Sequence, residues 1–127
     1  GLYIRDWIYV LDHCIALDKV LHQGEPGEVY NVGADEERTN LDITDIILET
    51  FGKDASLIRH VKDRPGHDRR YAIDSGKIQN GLGWRPRTSF PEGMKKTLRW
   101  YVDNESWWRK IKSGEYRQYY ERMYSGR

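Results

Sequence analysis

Residues 61–74, Val-Lys-Asp-Arg-Pro-Gly-His-Asp-Arg-Arg-Tyr-Ala-Ile-Asp, combine more charge with less backbone freedom than any other stretch of the chain. Pro65 fixes its own φ and drives Arg64 toward an extended conformation. Gly66 admits a turn that residues with side chains resist. Arg64 and His67 therefore flank a rigid Pro-Gly turn that carries side chains outward. Between Arg59 and Arg70 stand five Lys or Arg and two Asp, an excess of three positive charges, whereas the whole chain carries +1. A local cationic loop on a near-neutral protein fits an anionic small ligand better than a long polyanion. On charge alone the competing reading is a solvated loop of local Asp–Arg pairs, since exposed ion pairs of that kind are common.

A chain of 127 residues is long enough for one domain. With only 38% hydrophobic residues but five Trp and nine Tyr, much of its apolar area must come from large rings. The single cysteine, Cys14, excludes an internal disulfide and fits a reducing, cytoplasmic setting. No apolar run approaches the roughly 20 residues of a membrane span, and no secretory leader is visible. The chain opens on Gly1 and passes at once into a strand-like run, as expected of a piece of a longer protein.

Taken in order, residues 2–10 read as a strand, rich in aromatic and β-branched side chains and interrupted by Arg5 and Asp6. Those two are either solvated charges on an edge strand or the means of delivering one guanidinium to a cleft. Asp12 is the expected N-cap of a helix reaching Leu21, with Val10, Cys14, Leu17, Val20 and Leu21 on its apolar face. On that face Cys14 is core, and His13 lacks the partner at i+4 that a metal site would need. Gly24, Pro26 and Gly27 turn the chain into a second strand at 28–32, closed by Gly33. Strand, helix, strand over this length predicts a βαβ unit with parallel pairing. Asn40 can cap a second helix that buries Leu41, Ile43, Ile46, Ile47 and Phe51 and stops at Gly52. Residues 56–61 read as a short strand leading into the cationic loop. Asp74 caps a brief helix ending near Gly83, and Ser89-Phe-Pro-Glu92 opens another that presents Met94, Leu98 and Tyr101 on one face. Beyond Asn104 rings and cations interleave without a sustained helical period, and from Trp107 onward the tail is expected to be less ordered than the body unless a ligand or the rest of a longer protein is present.

Several chemistries have no sequence support. There is no Gly-x-x-Gly-x-x-Gly phosphate loop, no Tyr-x-x-x-Lys, no His or Cys spacing suited to a metal, and no Gly-x-Ser-x-Gly elbow. Asp35-Glu36 is a carboxylate pair in a polar loop, where a solvated role is the ordinary one. Interleaved Tyr, Trp and Arg near the end raise a single-stranded nucleic-acid-binding module as a distant alternative. The overall balance, with pI ≈ 8.0, lacks the excess of cations such a module carries.

Five strings, in order, carry a resemblance: Arg5-Asp-Trp-Ile-Tyr-Val-Leu-Asp-His13, Gly27-Glu-Val-Tyr-Asn-Val-Gly33, Asn40-Leu41, Asp63-Arg-Pro-Gly-His-Asp-Arg-Arg-Tyr-Ala-Ile-Asp74 and Leu82-Gly-Trp-Arg-Pro86. Together with Trp107-Trp108 and the closing Tyr-Ser-Gly-Arg, they resemble the C-terminal part of the dTDP-glucose 4,6-dehydratase family of extended short-chain dehydrogenase/reductases. Leu11 stands where that family commonly has an acid, and Ala34 where it commonly has glycine. The first two strings are shared more loosely with other sugar-nucleotide enzymes of the superfamily, so a related epimerase or decarboxylase is the nearer alternative.

The resemblance implies an α/β fold in which residues 1–127 form one substrate-binding portion, ending in the aromatic and basic tail, with the N-terminal Rossmann half absent. It implies a homodimeric full-length lyase that uses NAD to convert dTDP-glucose to the 4-keto-6-deoxy sugar, with neither nucleic acid nor membrane as partner. The family's catalytic residues would lie upstream of Gly1, leaving this chain without a catalytic or cofactor-binding residue and inactive alone. Arg5, Asn40, Arg64 and His67 would contact the nucleotide diphosphate, within a binding loop of Asp63, Arg64, Pro65, Gly66 and His67. Tyr124 would close over the ligand. For Asn40 both capping and ligand contact remain open.

Overall fold

The computed structural model describes residues 1–63 and 65–114. Strand β1 is Ile4–Asp6, helix α1 Val10–Gln23, strand β2 Glu37–Thr39 and helix α2 Asn40–Thr50. A 3₁₀ turn follows at Ala55–Leu57, and then helices α3 (Gly76–Leu82), α4 (Phe90–Asp103) and α5 (Glu105–Lys112). The class is the mixed α/β one expected. The chain divides into two compact units, Gly1–Gly93 and Met94–Arg127.

In the first unit, β1 and β2 pair antiparallel, with Arg5 opposite Arg38. The expected parallel βαβ pairing is therefore corrected. Residues 28–32 form no strand and pair in no ladder with a described segment. Tyr30 and Val32 instead pack on the core of Ala16, Ile78 and Trp84, joined by Ile8, Val20 and Leu82. The first strand is shorter than expected because Val10 already belongs to α1, whose N-cap position is Tyr9 rather than Asp12.

Asp12 is instead buried, and its carboxylate accepts the Thr88 N–H at 2.9 Å. Its backbone carbonyl accepts the Trp84 indole N–H at 3.1 Å. The buried face of α1 thus runs through Asp12 and Ala16, one turn apart. Val10, Leu17 and Leu21 are exposed, and so is Cys14, contrary to the expected core face.

Thr39, not Asn40, caps α2. Its hydroxyl accepts the Asp42 N–H, while the Asp42 carboxylate accepts the Thr39 N–H, a reciprocal capping box. Ile43 is buried beneath this helix, whereas Ile47 and Phe51 are exposed in part. Gly52, at φ 58°, ends it as expected. Residues 56–61 hold only the end of the 3₁₀ turn and no strand. The Asp54 carboxylate accepts the Ser56 N–H there, a local bond that favours a turn over an extended ladder. Asp74 accepts the Gly76 N–H at the start of α3, although Ser75 occupies the cap position. The hydroxyl of Ser75 bonds Gly33 instead.

In the second unit, Trp107 and Trp108 lie within α5, so the start of the tail is helical although its rings and cations show no sustained helical period. Trp100 meets Trp107 edge to face at 5.2 Å, and the Trp108 indole N–H donates to the Tyr101 carbonyl at 2.8 Å. The expectations for residues 115–127 fall outside the described residues.

Candidate functional site

Strand β1 is the axis of the site. One edge pairs with β2, and the other receives the returning arm of the cationic loop. The Ile4 N–H donates to the Arg69 carbonyl at 2.8 Å, and the Tyr71 N–H donates to the Ile4 carbonyl at 3.1 Å. Loop 63–71 is thereby fastened beside Arg5. A second clamp lies farther along it, where Arg70 grips Glu37 through Nε and Nη2, at 2.5 and 2.6 Å. That paired hydrogen bond holds the Glu37 carboxyl below its ordinary range, against a smaller opposing effect of burial.

Arg5 and His67 meet. Arg5 Nη2 lies 2.9 Å from His67 Nε2 and also donates to the Asp68 carbonyl at 3.2 Å, while Nη1 donates to the Ile4 carbonyl at 2.6 Å. A guanidinium can only donate, so His67 Nε2 is the acceptor. The imidazole proton then sits on Nδ1, which faces Asp63 Oδ1 at 2.8 Å. Arg5, His67 and Asp63 form one directed chain. The His67 ring also stacks on Tyr3, with centroids 4.2 Å apart, and Arg5 Cζ lies 4.4 Å from the Tyr71 ring centroid. Gly66, at φ 68°, provides the turn between Pro65 and His67 that a side chain would strain.

Asn40 stands at the first helical position, and its backbone N–H donates to the Tyr3 carbonyl at 3.1 Å. Its side-chain amide makes no hydrogen bond to the described residues, which leaves it free for another partner. Of the expected site residues, the structure brings Arg5, Asp63 and His67 into direct contact. It sets Pro65 and Gly66 in the adjoining turn and Asn40 across the sheet from Tyr3. Arg64 and Tyr124 lie outside the described residues.

Arg38, opposite Arg5, would be a repulsive neighbour if it shared the same contacts. It turns instead to Glu36 at 3.2 Å and to the face of Phe90 at 4.1 Å. Asp6 does not serve the site directly. Its carboxylate accepts the N–H groups of Ala34 and Glu36, at 3.1 and 3.0 Å, and so holds the loop ahead of β2. Asp35, in that loop, takes φ 58°, and the Glu36 carboxylate accepts a hydrogen bond from Arg38 at 3.2 Å.

Tyr3, Tyr71 and Asp68 were not singled out from the sequence. For Tyr3 a signal existed, because residues two apart on a strand share a face, which places Tyr3 beside Arg5. For Tyr71 and Asp68 no local periodicity applies. Among the described residues the site brings together a guanidinium, an imidazole and aromatic faces, an arrangement suited to holding an anionic ligand. Among the described residues no group of His, Cys, Asp and Glu could hold a metal ion. No helix of the described residues is long and apolar enough to cross a membrane.

The family model described as GDP-mannose 4,6 dehydratase matches residues 1–97. The dTDP-glucose 4,6-dehydratase of Salmonella typhimurium is 47% identical over 134 residues, covering 100% of this chain and 37% of that protein. The crystal structure of dTDP-glucose 4,6-dehydratase from Bacillus anthracis in complex with NAD matches at 46% identity and a TM-score of 0.80, covering 87% of this chain and 35% of the other. DesIV, a dTDP-glucose 4,6-dehydratase from Streptomyces venezuelae with NAD and TYD bound, matches at 45% identity and a TM-score of 0.79, covering 84% and 33%. The chain spans about a third of the length of these relatives.

Proposed function

The chain belongs to the GDP-mannose 4,6-dehydratase family, and from that premise we propose that it forms the sugar-nucleotide-binding portion of a dTDP-glucose 4,6-dehydratase. The observation that carries this reading is the Arg5–His67–Asp63 chain beside the Pro65–Gly66 turn. A nucleotide diphosphate calls for permanent positive charge on rigid supports, and β1 and the clamped loop are such supports. In this reading Arg5, Arg64 and His67 face the diphosphate, Asn40 contributes its amide, Asp63 orients His67, and Tyr124 closes over the ligand. Residues 1–127 act as one substrate-binding portion.

The full-length protein would be a cytoplasmic, homodimeric lyase that binds NAD. The residues of this chain do not fit that cofactor: no Gly-x-x-Gly-x-x-Gly occurs, and β1 is not followed by a glycine-rich turn into α1. NAD would be held by another part of the full-length protein, and no role in hydride transfer falls to the residues here.

Thermal-shift titration of the full-length protein with dTDP-, UDP- and GDP-sugars tests the reading. Stabilisation by dTDP-glucose well above the other two is the expected outcome. Preference for UDP- or GDP-sugars would assign the site to a related epimerase, decarboxylase or GDP-sugar dehydratase. Salt-sensitive binding of single-stranded nucleic acid, with no sugar-nucleotide response, would replace the reading altogether.

A further inference from the structure

We propose that Tyr71 is a positioning residue of this site, whose ring face and hydroxyl together fix the Arg5 guanidinium against loop 63–71. The affinity part of the inference rests on the nucleotide-binding reading above and deepens it.

The contacts close on themselves. The Tyr71 ring lies 4.4 Å beneath Arg5 Cζ. Its hydroxyl donates to Asp68 Oδ2 at 2.6 Å. The backbone carbonyl of the same Asp68 accepts from Arg5 Nη2 at 3.2 Å. The Tyr71 N–H is itself tied to the Ile4 carbonyl, one residue before Arg5, so the base of the ring is anchored to the strand that carries the guanidinium.

Donor arithmetic shows why a ring suits this place. A guanidinium has five N–H donors. Three are engaged here, by Ile4, His67 and Asp68, and both hydrogens of Nη2 are among them. Among the described residues the Nε–H and the second Nη1 hydrogen have no partner, and both are open to an anion. A further hydrogen-bonding support would consume one of them. An aromatic face attracts the cation through its quadrupole and consumes none. Tyr71 thus holds the plane of Arg5 while leaving its remaining donors available.

The two parts of Tyr71 are separable: Tyr71→Phe keeps the ring and loses the hydroxyl, and Tyr71→Leu loses both. In the full-length protein, titrated with dTDP, Tyr71→Leu should weaken binding about three- to tenfold, as expected for loss of a partly desolvated cation–π contact. Tyr71→Phe should weaken it less. In an Arg5→Ala background Tyr71→Leu should cost clearly less affinity than it does in wild type, because part of its effect runs through Arg5.

A second arm needs no ligand. The Arg5 side-chain ¹⁵N signals of the free protein should show hindered guanidinium rotation in wild type and Tyr71→Phe, and measurably faster rotation in Tyr71→Leu, where the hydrogen bonds to Ile4, His67 and Asp68 act without the ring. Tyr71→Met takes the place of the leucine variant should that variant not fold. Additive losses in the affinity cycle, or unchanged Arg5 rotation in the variant lacking the ring, would overturn the proposal. If wild type fails to bind dTDP, the nucleotide reading falls, and the rotation of Arg5 still decides whether Tyr71 positions it.

Discussion

Gly33 shows how closely single residues are constrained beside the site. A Cβ at this position would meet the Asp6 carboxylate, with the Ser75 hydroxyl 3.2 Å away. Both neighbours are committed: Asp6 accepts the Ala34 and Glu36 N–H groups, and Ser75 Oγ accepts the Gly33 N–H at 2.7 Å. Gly33→Ala should therefore destabilise the protein by about 1–3 kcal/mol through overpacking, read as a fall in Tm. Gly27→Ala, with open space around its Cβ but φ 84°, tests backbone strain instead. Arg64→Lys is the matching functional test. In the nucleotide reading a lysine keeps the charge and loses the planar fork. Losing a charge-assisted hydrogen bond of about 1.5–3 kcal/mol should weaken dTDP binding roughly tenfold to hundredfold, with little change in Tm. Equal affinities in titrations at two salt concentrations would return the loop to a solvated surface. Much at this scale was legible. Pro65 and Gly66 announce a rigid turn by their own backbone chemistry, and Arg5 stood out as a charge inside a strand-like run. The part played by Asp6 was not legible, because its partners are backbone N–H groups nearly thirty residues away.

Local chemistry at the element scale places boundaries only to within a residue or two. Thr39 and Asn40 are both competent N-caps, and the choice of Thr39 follows from the carboxylate of Asp42, which answers back to the Thr39 N–H. That pattern of a cap answered three residues on was readable. The register between β1 and β2 was not, since it depends on which segments lie side by side rather than on either segment's composition. One long-range bond that the register creates, Glu37 to Arg70, ties β2 to the loop and has a pH signature. The hydrogen bond with Arg70 lowers the folded-state pKa of Glu37. Its stabilising contribution is thus fully present above the ordinary glutamate value, about 4.3, and is lost as pH falls through the lower folded value. Glu37→Gln should reduce Tm at pH 7, and the reduction should shrink progressively as pH falls below the ordinary glutamate range. A Tm difference that stays constant with pH would show that Glu37 acts through packing, not charge.

The whole molecule sets what the chain can do. Its α/β class and its family were both readable, because specific strings run through the chain in order. What covers each apolar face was not. The spacing of Val10, Cys14, Leu17 and Leu21 marks a face on α1, yet Leu21 is 79% exposed and Val10 60%. Periodicity identifies a face without identifying its partner. The core of the first unit forms instead around Asp12, Ala16, Ile78 and Trp84, where a buried carboxylate accepts a hydrogen bond that no apolar pattern signals. Division of labour follows from the same inventory. Among the described residues the candidate site presents donors and aromatic faces, and the sequence holds neither a dinucleotide phosphate loop nor a Tyr-x-x-x-Lys. Dehydration of a dTDP-sugar in the manner proposed needs a hydride acceptor held beside a base, since the cofactor carries that chemistry and the protein orients it. The 127-residue chain, purified alone and mixed with NAD and dTDP-glucose, should therefore form no 4-keto-6-deoxy product above a no-protein control. The full-length protein should form it under the same conditions. Turnover by the chain alone would mean that these residues assemble a cofactor site that neither their motifs nor their described geometry contains.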